Sequence, residues 1–292
     1  MNKARYNKEG VLSIIATPIG NLEDITLRAI RTLKEVDYIL CEDKRVTQKL
    51  LNHFEIKTKL ISFHKYNEKD ESEKVVLLLK SGSCIALVSD AGSPLISDPG
   101  SELISRVYKE GIKVISIPGP SAVISALSIC PIKFNQFTFI GFLPDKASRR
   151  NELISSFSTS NSVIVLYVAP HDFKKYISEI YTHYPDINVF YARELTKIYE
   201  ESWCGEIKDL VNLLDKKKLK GEIVLVLNFQ DTKIKDTETT KEEIIKKMEK
   251  AIKDGKSLKE TSKHYAKEYN LSSNDLYKVY LKNRSSINRA PM

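Results

Sequence analysis

Short apolar runs alternate with amphipathic stretches through the first part of the chain. The run from Leu12 to Ala16 predicts a buried strand, and apolar positions at roughly helical spacing between Leu22 and Lys34 predict the helix that follows it. The alternation continues with strands predicted at 36–41, 60–62, 85–88 and 114–117, and helices near 46–54 and 72–79. This pattern predicts a mostly parallel sheet with helices on both faces.

The alternation is less regular from Phe137 onward. The extended segment around Tyr199 to Cys204 lies close enough in sequence to its neighbours for antiparallel pairing. We therefore expect a second α/β domain, with a ligand site in the cleft between the two domains. Its strands are predicted at 137–141, 162–168, 187–192 and 222–228.

The C-terminal part of the chain has the signals of short helices. Thr240 with Glu243, and Ser257 with Glu260, have the spacing of capping boxes, and a third helix is predicted after Ser272. Three short helices with basic surfaces are typical of a helix-turn-helix module. The predicted organisation is an N-terminal α/β domain at 1–122, a second α/β domain at 123–230, a linker at 231–239 and a basic three-helix module at 240–292.

Three of the predicted strands end in loops rich in proline and glycine, at 17–21, 89–100 and 118–121. Proline fixes φ and glycine allows close approach to the backbone, so such loops can present rigid walls to a ligand. Ligands of open α/β sheets bind where strands end. Ordinary turn chemistry explains any one of these loops equally well, but the three together favour a pocket.

The positive charge is concentrated near the C-terminus. The formal net charge is +8, and residues 241–292 contain 13 Lys or Arg against 7 Asp or Glu. This concentration favours a polyanionic partner, because neutralising phosphates releases counterions. A solvated lysine-rich surface is the alternative.

Several classes of site lack their sequence signatures. The four cysteines have no metal-ligand spacing, and the chain has neither a nucleotide-binding glycine loop nor a zinc-protease or serine-hydrolase motif. No apolar stretch is long enough to span a membrane, and the N-terminus has no signal-peptide core. We therefore expect a cytoplasmic protein without a metal or a membrane partner.

Short motifs in a fixed order identify a family resemblance. The chain resembles the family of small-subunit ribosomal RNA methyltransferases that have the tetrapyrrole-methylase fold. The resemblance implies two α/β domains with S-adenosylmethionine in the cleft between them, a homodimer, and methylation of the ribose 2′-hydroxyl of a cytidine in the decoding region of 16S rRNA. The motifs are at 17–24, 41–45, 89–100, 118–121, 141–144, 192–197 and 220–222.

The resemblance also implies which residues form the site. Asp90 is the candidate to engage a polar edge of the cofactor, although a loop aspartate often only caps a turn. Most of the expected cofactor-binding residues would contribute backbone groups or shape. They are Pro18, Ile19, Asp90, Ser93, Ser121, Ala122, Tyr167, Ala192 and Gly221.

Methyl transfer to a hydroxyl requires positioning and removal of a proton. Glu42 and Asp43 directly follow a predicted strand and are the candidate proton acceptors, while Arg45 or Lys197 would stabilise the oxygen or a phosphate. Structural ion pairing is the alternative for each of these four residues.

Three further residues are assigned to the substrate. We expect Asn21 to read the target nucleotide, and Arg149 and Arg150 to contact RNA phosphates.

Two other functions stay open, and two departures from the family pattern motivate the non-catalytic one. Lys44 and Val168 stand where the family has threonine and glutamate. A tetrapyrrole methyltransferase of the same fold is one alternative, but its substrate gives no reason for a basic helical module. A non-catalytic RNA-binding or ribosome-assembly protein is the other.

Overall fold

The chain forms two compact units, Met1–Thr232 and Lys233–Met292. The structure is a computed structural model that describes residues 9–160, 162–216, 220–229, 237–268, 273 and 276–281. Among the helices within those ranges, none is both long enough and apolar enough to cross a membrane.

The first unit begins with a five-stranded sheet whose strands all run parallel. Helices cover both faces of this sheet, and each face has its own apolar cluster. The predicted parallel α/β arrangement is confirmed. The strands are β1 (Val11–Ile15), β2 (Tyr38–Cys41), β3 (Lys59–Ser62), β4 (Cys84–Val88) and β5 (Lys113–Ile117), in the order β3-β2-β4-β1-β5, and the helices are α1 (Leu27–Glu35), α2 (Lys44–His53), α3 (Glu68–Lys80) and α4 (Ser101–Lys109).

The helix predicted from Leu22 to Lys34 is two elements. A short 3-10 turn covers Leu22–Asp24, and α1 begins only after Thr26. The reason is local, because the Thr26 hydroxyl accepts a hydrogen bond from the Ala29 N–H at 3.1 Å and so caps a new helix.

The second sheet of this unit is mixed. Only β6 and β7 run parallel, and the predicted antiparallel pairing of the segment near residue 204 is observed between β8 and β9. The strands are β6 (Phe137–Phe142), β7 (Val163–Val168), β8 (Asn188–Arg193), β9 (Glu201–Glu206) and β10 (Ile223–Asn228), in the order β6-β7-β10-β8-β9, and the helices are α5 (Ala122–Ser128), α6 (Ala147–Ser155), α7 (Phe173–His183) and α8 (Ile207–Lys216).

One apolar cluster joins the two sheets. Val123 and Leu127 of α5 pack together with Ile19, from the loop after β1, against Val165 and Val226 of the second sheet. Removing these side chains from water supplies the main stabilisation of this contact. The cluster fixes the loops after β1 and β5 relative to the second sheet.

Arg150 is part of the core and is not a phosphate contact. Its side chain is 1% exposed, and its guanidinium donates to both carboxylate oxygens of Glu179, at 2.6 and 2.8 Å. It also donates to the carbonyls of Pro144 and Asp145 and lies over the Tyr176 ring. Because these partners engage the guanidinium within the protein, the assignment of Arg150 to RNA is wrong.

The C-terminal unit contains α9 (Thr237–Lys253), α10 (Leu258–Glu268) and helical residues 276–281. Their buried core includes Ile244, Met248, Ala266, Leu276 and Tyr280. The helix predicted after residue 272 therefore has a counterpart at 276–281, although 272 itself lies outside the described residues.

The two predicted capping boxes of this unit have different outcomes. Ser257 and Glu260 form one, with the Glu260 N–H donating to the Ser257 hydroxyl at 3.2 Å and the Ser257 N–H donating to Glu260 Oε2 at 3.4 Å. The prediction at Thr240 is wrong, because α9 already begins at Thr237 and residue 240 lies inside it.

Replacing Arg150 tests its structural role. We expect Arg150→Met to lower the free energy of unfolding by about 3 kcal/mol, because it leaves the Glu179 carboxylate without its partner. Urea denaturation measures the change. The matched control is Arg149→Met, at an exposed neighbour, for which a change within about 0.5 kcal/mol is expected. Equal effects of the two substitutions would contradict the assignment.

Candidate active site

The loops after the strands of the first sheet are tied to one another. The backbones of Thr17 and Gly92 exchange two hydrogen bonds, at 2.8 and 3.0 Å. The Thr17 hydroxyl donates to the Ser89 carbonyl at 3.1 Å, and the Ser93 hydroxyl donates to the Pro120 carbonyl at 3.3 Å. The three proline- and glycine-rich loops therefore form one surface at the carboxyl edge of the sheet.

Asp90 connects a fourth loop to this surface. Its Oδ1 accepts a hydrogen bond at 3.1 Å from the backbone N–H of Asp43, in the loop after β2. Asp90 also lies on the wall of a cavity. One oxygen of the Asp90 carboxylate thus binds the protein backbone, while the Asp90 side chain still lines the cavity.

The cavity has a volume of about 420 Å³ and lies between the joined loops and the second sheet. Its described wall has three carboxylates and no lysine, arginine or histidine. Aromatic rings form one side, with Tyr167 against Phe139 and Phe142 at centroid distances of 4.9 and 5.5 Å. The polar and aromatic wall residues are Asp90, Ser93, Ser97, Asp98, Ser121, Phe142, Tyr167 and Glu222.

Most of the residues predicted for the cofactor lie on this wall, namely Ile19, Asp90, Ser93, Ser121, Ala122 and Tyr167. Pro18, Ala192 and Gly221 do not. Ala192 is fully buried in the cluster that joins the two sheets. Gly221 has φ +85° and is covered by the Glu194 side chain, which leaves no room for a Cβ atom. For these two positions the structure gives a packing role in place of the predicted cofactor contact.

Asp43 and Arg45 form an ion pair. The Arg45 Nη2 lies 2.6 Å from Asp43 Oδ2, and Asp43 also caps α2 by accepting from the Arg45 N–H at 2.8 Å. These hydrogen bonds to Arg45 lower the pKa of Asp43 to about 2. Because this pair engages Asp43 and Asp43 is not among the described wall residues of the cavity, the structure favours the ion-pairing alternative for it. Glu42, the other candidate, is exposed and is not among the cavity-wall residues.

Lys197 lies between two carboxylates at the edge of the cavity. Its Nζ is 2.9 Å from Glu194 Oε1 and 2.9 Å from Glu222 Oε2. Burial acts to lower the pKa of Lys197, but the hydrogen bonds to Glu222 and Glu194 outweigh it and raise the pKa. Lys197 therefore stays protonated and holds Glu222 at the cavity wall.

The remaining substrate candidates are on the surface. The Asn21 side chain accepts from the Glu23 N–H at 3.1 Å and so begins the short 3-10 turn. Asn21 and Arg149 are both exposed.

Sequence reasoning did not assign Asp98, a half-buried residue of the cavity wall. Burial raises the pKa of its carboxyl to about 6, hydrogen bonding to Ser89 opposes this shift, and the charges of Glu42 and Asp90 add to it. The signal was present in the sequence, since the loop at 89–100 contains two aspartates, of which only Asp90 received a role.

Residues 11–211 match the family described as Tetrapyrrole (Corrin/Porphyrin) Methylases. The chain is 40% identical over 274 residues to the ribosomal RNA small subunit methyltransferase I of Halalkalibacterium halodurans, covering 93% of this chain and 95% of that protein. It is 44% identical over 222 residues to the protein of the same name from Thermotoga maritima, covering 76% of this chain and 100% of that protein.

Solved structures share the fold at low sequence identity. A cobalamin biosynthetic enzyme, cobalt precorrin-4 methyltransferase, superimposes with a TM-score of 0.56 at 17% identity, covering 75% of this chain and 95% of that one. The likeness supports the tetrapyrrole-methylase-like arrangement of two α/β parts.

Replacing Thr17 tests the connection between the loops. We expect Thr17→Val to lower the free energy of unfolding by about 1–2 kcal/mol, because the buried Ser89 carbonyl loses its hydroxyl donor. Urea denaturation measures the loss. In the matched control, Thr182→Val, the hydroxyl donates only to the Ser178 carbonyl of its own helix, and we expect a change within about 0.5 kcal/mol. No difference between the two variants would show that the loops are held by other contacts.

Proposed function

The chain belongs to the tetrapyrrole methylase family and, within it, to the ribosomal RNA small subunit methyltransferases I, and on that premise we propose that it transfers a methyl group from S-adenosylmethionine to RNA of the small ribosomal subunit. The observation that carries the proposal is the acidic cavity at the joined loops. It provides a site for a cationic methyl donor in a chain whose C-terminal part suits a polyanion.

The cavity fits this cofactor in size and charge. A volume of about 420 Å³ is typical of small-molecule sites. Three wall carboxylates, of which only Glu222 is paired with a lysine among the described residues, favour a sulfonium cation. When bound, the cofactor supplies an electrophilic methyl group. The residues proposed to hold it are Ile19, Asp90, Ser93, Ser121, Ala122 and Tyr167.

The precise target belongs to the proposal as well. We assign the reaction to the ribose 2′-hydroxyl of a cytidine in the decoding region of 16S rRNA, on the strength of the family resemblance. Asn21 and Arg149 are retained as surface contacts for the RNA, because both side chains are exposed. Lys197 and Arg45 are reassigned to holding carboxylates, because each is paired with one.

The C-terminal unit is proposed to bind RNA phosphates. Its core leaves a row of lysines exposed along and after α9, at Lys246, Lys250, Lys253 and Lys256. We keep the proposed limits of 1–122 and 123–230 for the two α/β domains. The helical module predicted at 240–292 already begins with α9 at Thr237, inside the linker predicted at 231–239. A cytoplasmic location and a homodimer complete the proposal, and light scattering at several protein concentrations tests the dimer.

Labelled methyl transfer tests the function directly. The full chain is incubated with labelled S-adenosylmethionine and small ribosomal subunits that lack the modification, and the modified nucleotide is mapped by mass spectrometry. Label on a decoding-region cytidine ribose is the expected result. Cofactor binding without transfer to RNA would favour a small-molecule acceptor such as a tetrapyrrole, and absence of binding would favour a non-catalytic RNA-binding protein.

Neutralising lysines of the C-terminal unit tests its role. We expect Lys246→Gln, Lys250→Gln and Lys253→Gln together to weaken RNA binding and to reduce the slope of log affinity against log salt by about 2, because up to three phosphate contacts are lost. Binding is measured by fluorescence anisotropy across a salt series, and cofactor affinity should stay unchanged.

The matched control has the same change of charge elsewhere. Lys34, Lys57 and Lys59 are exposed residues of the first unit, and their combined replacement by glutamine should leave the salt slope nearly unaltered. Equal slopes for the two triple variants would refute a special role for the C-terminal lysines.

A further inference from the structure

We propose that Asp98 is the catalytic residue that accepts the proton of the ribose hydroxyl during methyl transfer. This inference rests on the proposed function, because it names the proton acceptor for that same reaction. It replaces the candidates Glu42 and Asp43, neither of which is a described wall residue of the cavity.

The three carboxylates of the cavity wall differ in what already binds them. Asp90 accepts the backbone N–H of Asp43. Glu222 is bound to Lys197 at 2.9 Å, and its side chain is 77% exposed. Asp98 is half-buried and interacts with the Ser89 hydroxyl, but it has no basic partner among its described neighbours. Of the three, it is the carboxylate best suited to receive a proton from a substrate.

The loop that carries Asp98 is held in an unusual conformation. Leu95 and Ser97 have φ values of 73° and 72°, and Gly100 has φ 128°. The Glu68 carboxylate accepts the N–H groups of Gly100 and Glu102, at 3.0 and 2.9 Å, and so fixes the end of the loop at the start of α4. Left-handed conformations at residues other than glycine are retained where the surroundings impose them, often at functional sites.

The surroundings of Asp98 suit a base that works near neutral pH. The charged or titratable groups that act on it are Glu42 after β2, Asp90 in its own loop and Tyr167 on β7. Burial, with the two carboxylate charges, raises the pKa of Asp98 to about 6. The carboxylate is therefore mostly ionised at pH 7, yet is a stronger base than an ordinary aspartate.

Tyr167 is suited to a different role from that of Asp98. Burial, together with the charges of Asp98 and Glu222, raises the pKa of its hydroxyl. The phenol stays protonated at neutral pH, so it is available as a hydrogen-bond donor in the cavity and not as a base.

The proposed step is balanced within the reaction. A lone pair of the ribose oxygen forms the bond to the methyl carbon as the sulfur–carbon bond breaks. The electron pair of the sulfur–carbon bond passes to the sulfonium sulfur, which becomes neutral. The hydroxyl proton passes to the Asp98 carboxylate and then to solvent. The net change is one positive charge moved from sulfur to a released proton.

Two substitutions separate proton transfer from binding and folding. Asp98→Asn keeps the shape but removes the basic oxygen, and we expect it to slow methyl transfer to small ribosomal subunits by about 100-fold or more. Its affinity for S-adenosylmethionine, measured by calorimetry, should fall by no more than about tenfold, far less than the rate, because two of the three wall carboxylates remain. Asp98→Glu keeps a carboxylate and should recover part of the rate. Asp186→Asn, at an exposed turn, is the control and should keep full activity.

The pH profile and a direct titration provide further readouts. The rate should rise with pH and level off above an apparent pKa of about 6, because only the ionised carboxylate accepts a proton. In the protein without cofactor, carboxyl carbon NMR should show an aspartate titrating near that value that is absent from Asp98→Asn.

The outcomes distinguish this inference from the proposed function. Asp98→Asn with activity within about tenfold of the original would overturn the proton-acceptor role and leave the function intact. Loss of cofactor affinity in Asp98→Asn would make Asp98 a binding residue. A variant Asp98→Asn that is unfolded at the assay temperature, together with no recovery of the rate in Asp98→Glu, would make Asp98 a structural residue. No methyl transfer to RNA by the unaltered chain would overturn both proposals.

Discussion

The parallel arrangement of the first sheet is the constraint on which the site depends. Parallel strands bring all of their carboxyl ends to one edge, so the loops after β1, β2, β4 and β5 meet there. The backbone groups of Thr17 and Gly92 then pair with each other, because they are shielded from water and need partners. Ser89, Ser93 and Asp90 extend this pairing to the other loops. The hydrogen bonds that pair the buried backbone groups of these loops thus also hold the loops together as the cavity wall.

Charge divides the chain into parts suited to different ligands. The described wall of the cavity has three carboxylates and no basic residue, whereas residues 241–292 have the excess of lysine and arginine. The basic side chains near the cavity are already neutralised, since Arg45 is bound to Asp43 and Lys197 to Glu194 and Glu222. A cationic cofactor and a polyanionic substrate therefore find separate complementary surfaces on one chain.

The sequence predicted the strands well because their apolar runs are local signals, as for β1 and β4. It failed where a role depends on a distant partner. The sequence predicts Arg150 to be a basic surface residue like Arg149, but its ion pair with Glu179, on another helix, places it in the core. Asp98 received no role from the sequence for the same reason. The burial of Asp98 and the charge of Glu42, which follows β2, depend on parts of the chain far apart in sequence, so no spacing rule within the loop could single out Asp98.

Strained backbone is concentrated in two loops beside the cavity. Four of the five described residues other than glycine with positive φ lie there, namely Leu95, Ser97, Glu194 and Thr196. Local preference opposes these conformations, at a cost of about 1–3 kcal/mol each, so long-range contacts must impose them. Those contacts are visible, because Glu68 anchors the end of the first loop and Lys197 pairs with Glu194 in the second. A chain selected only for stability would avoid such residues. Their position beside the acidic wall indicates that the fold maintains the conformation of these loops and, with it, the orientation of the Asp98 and Glu222 side chains.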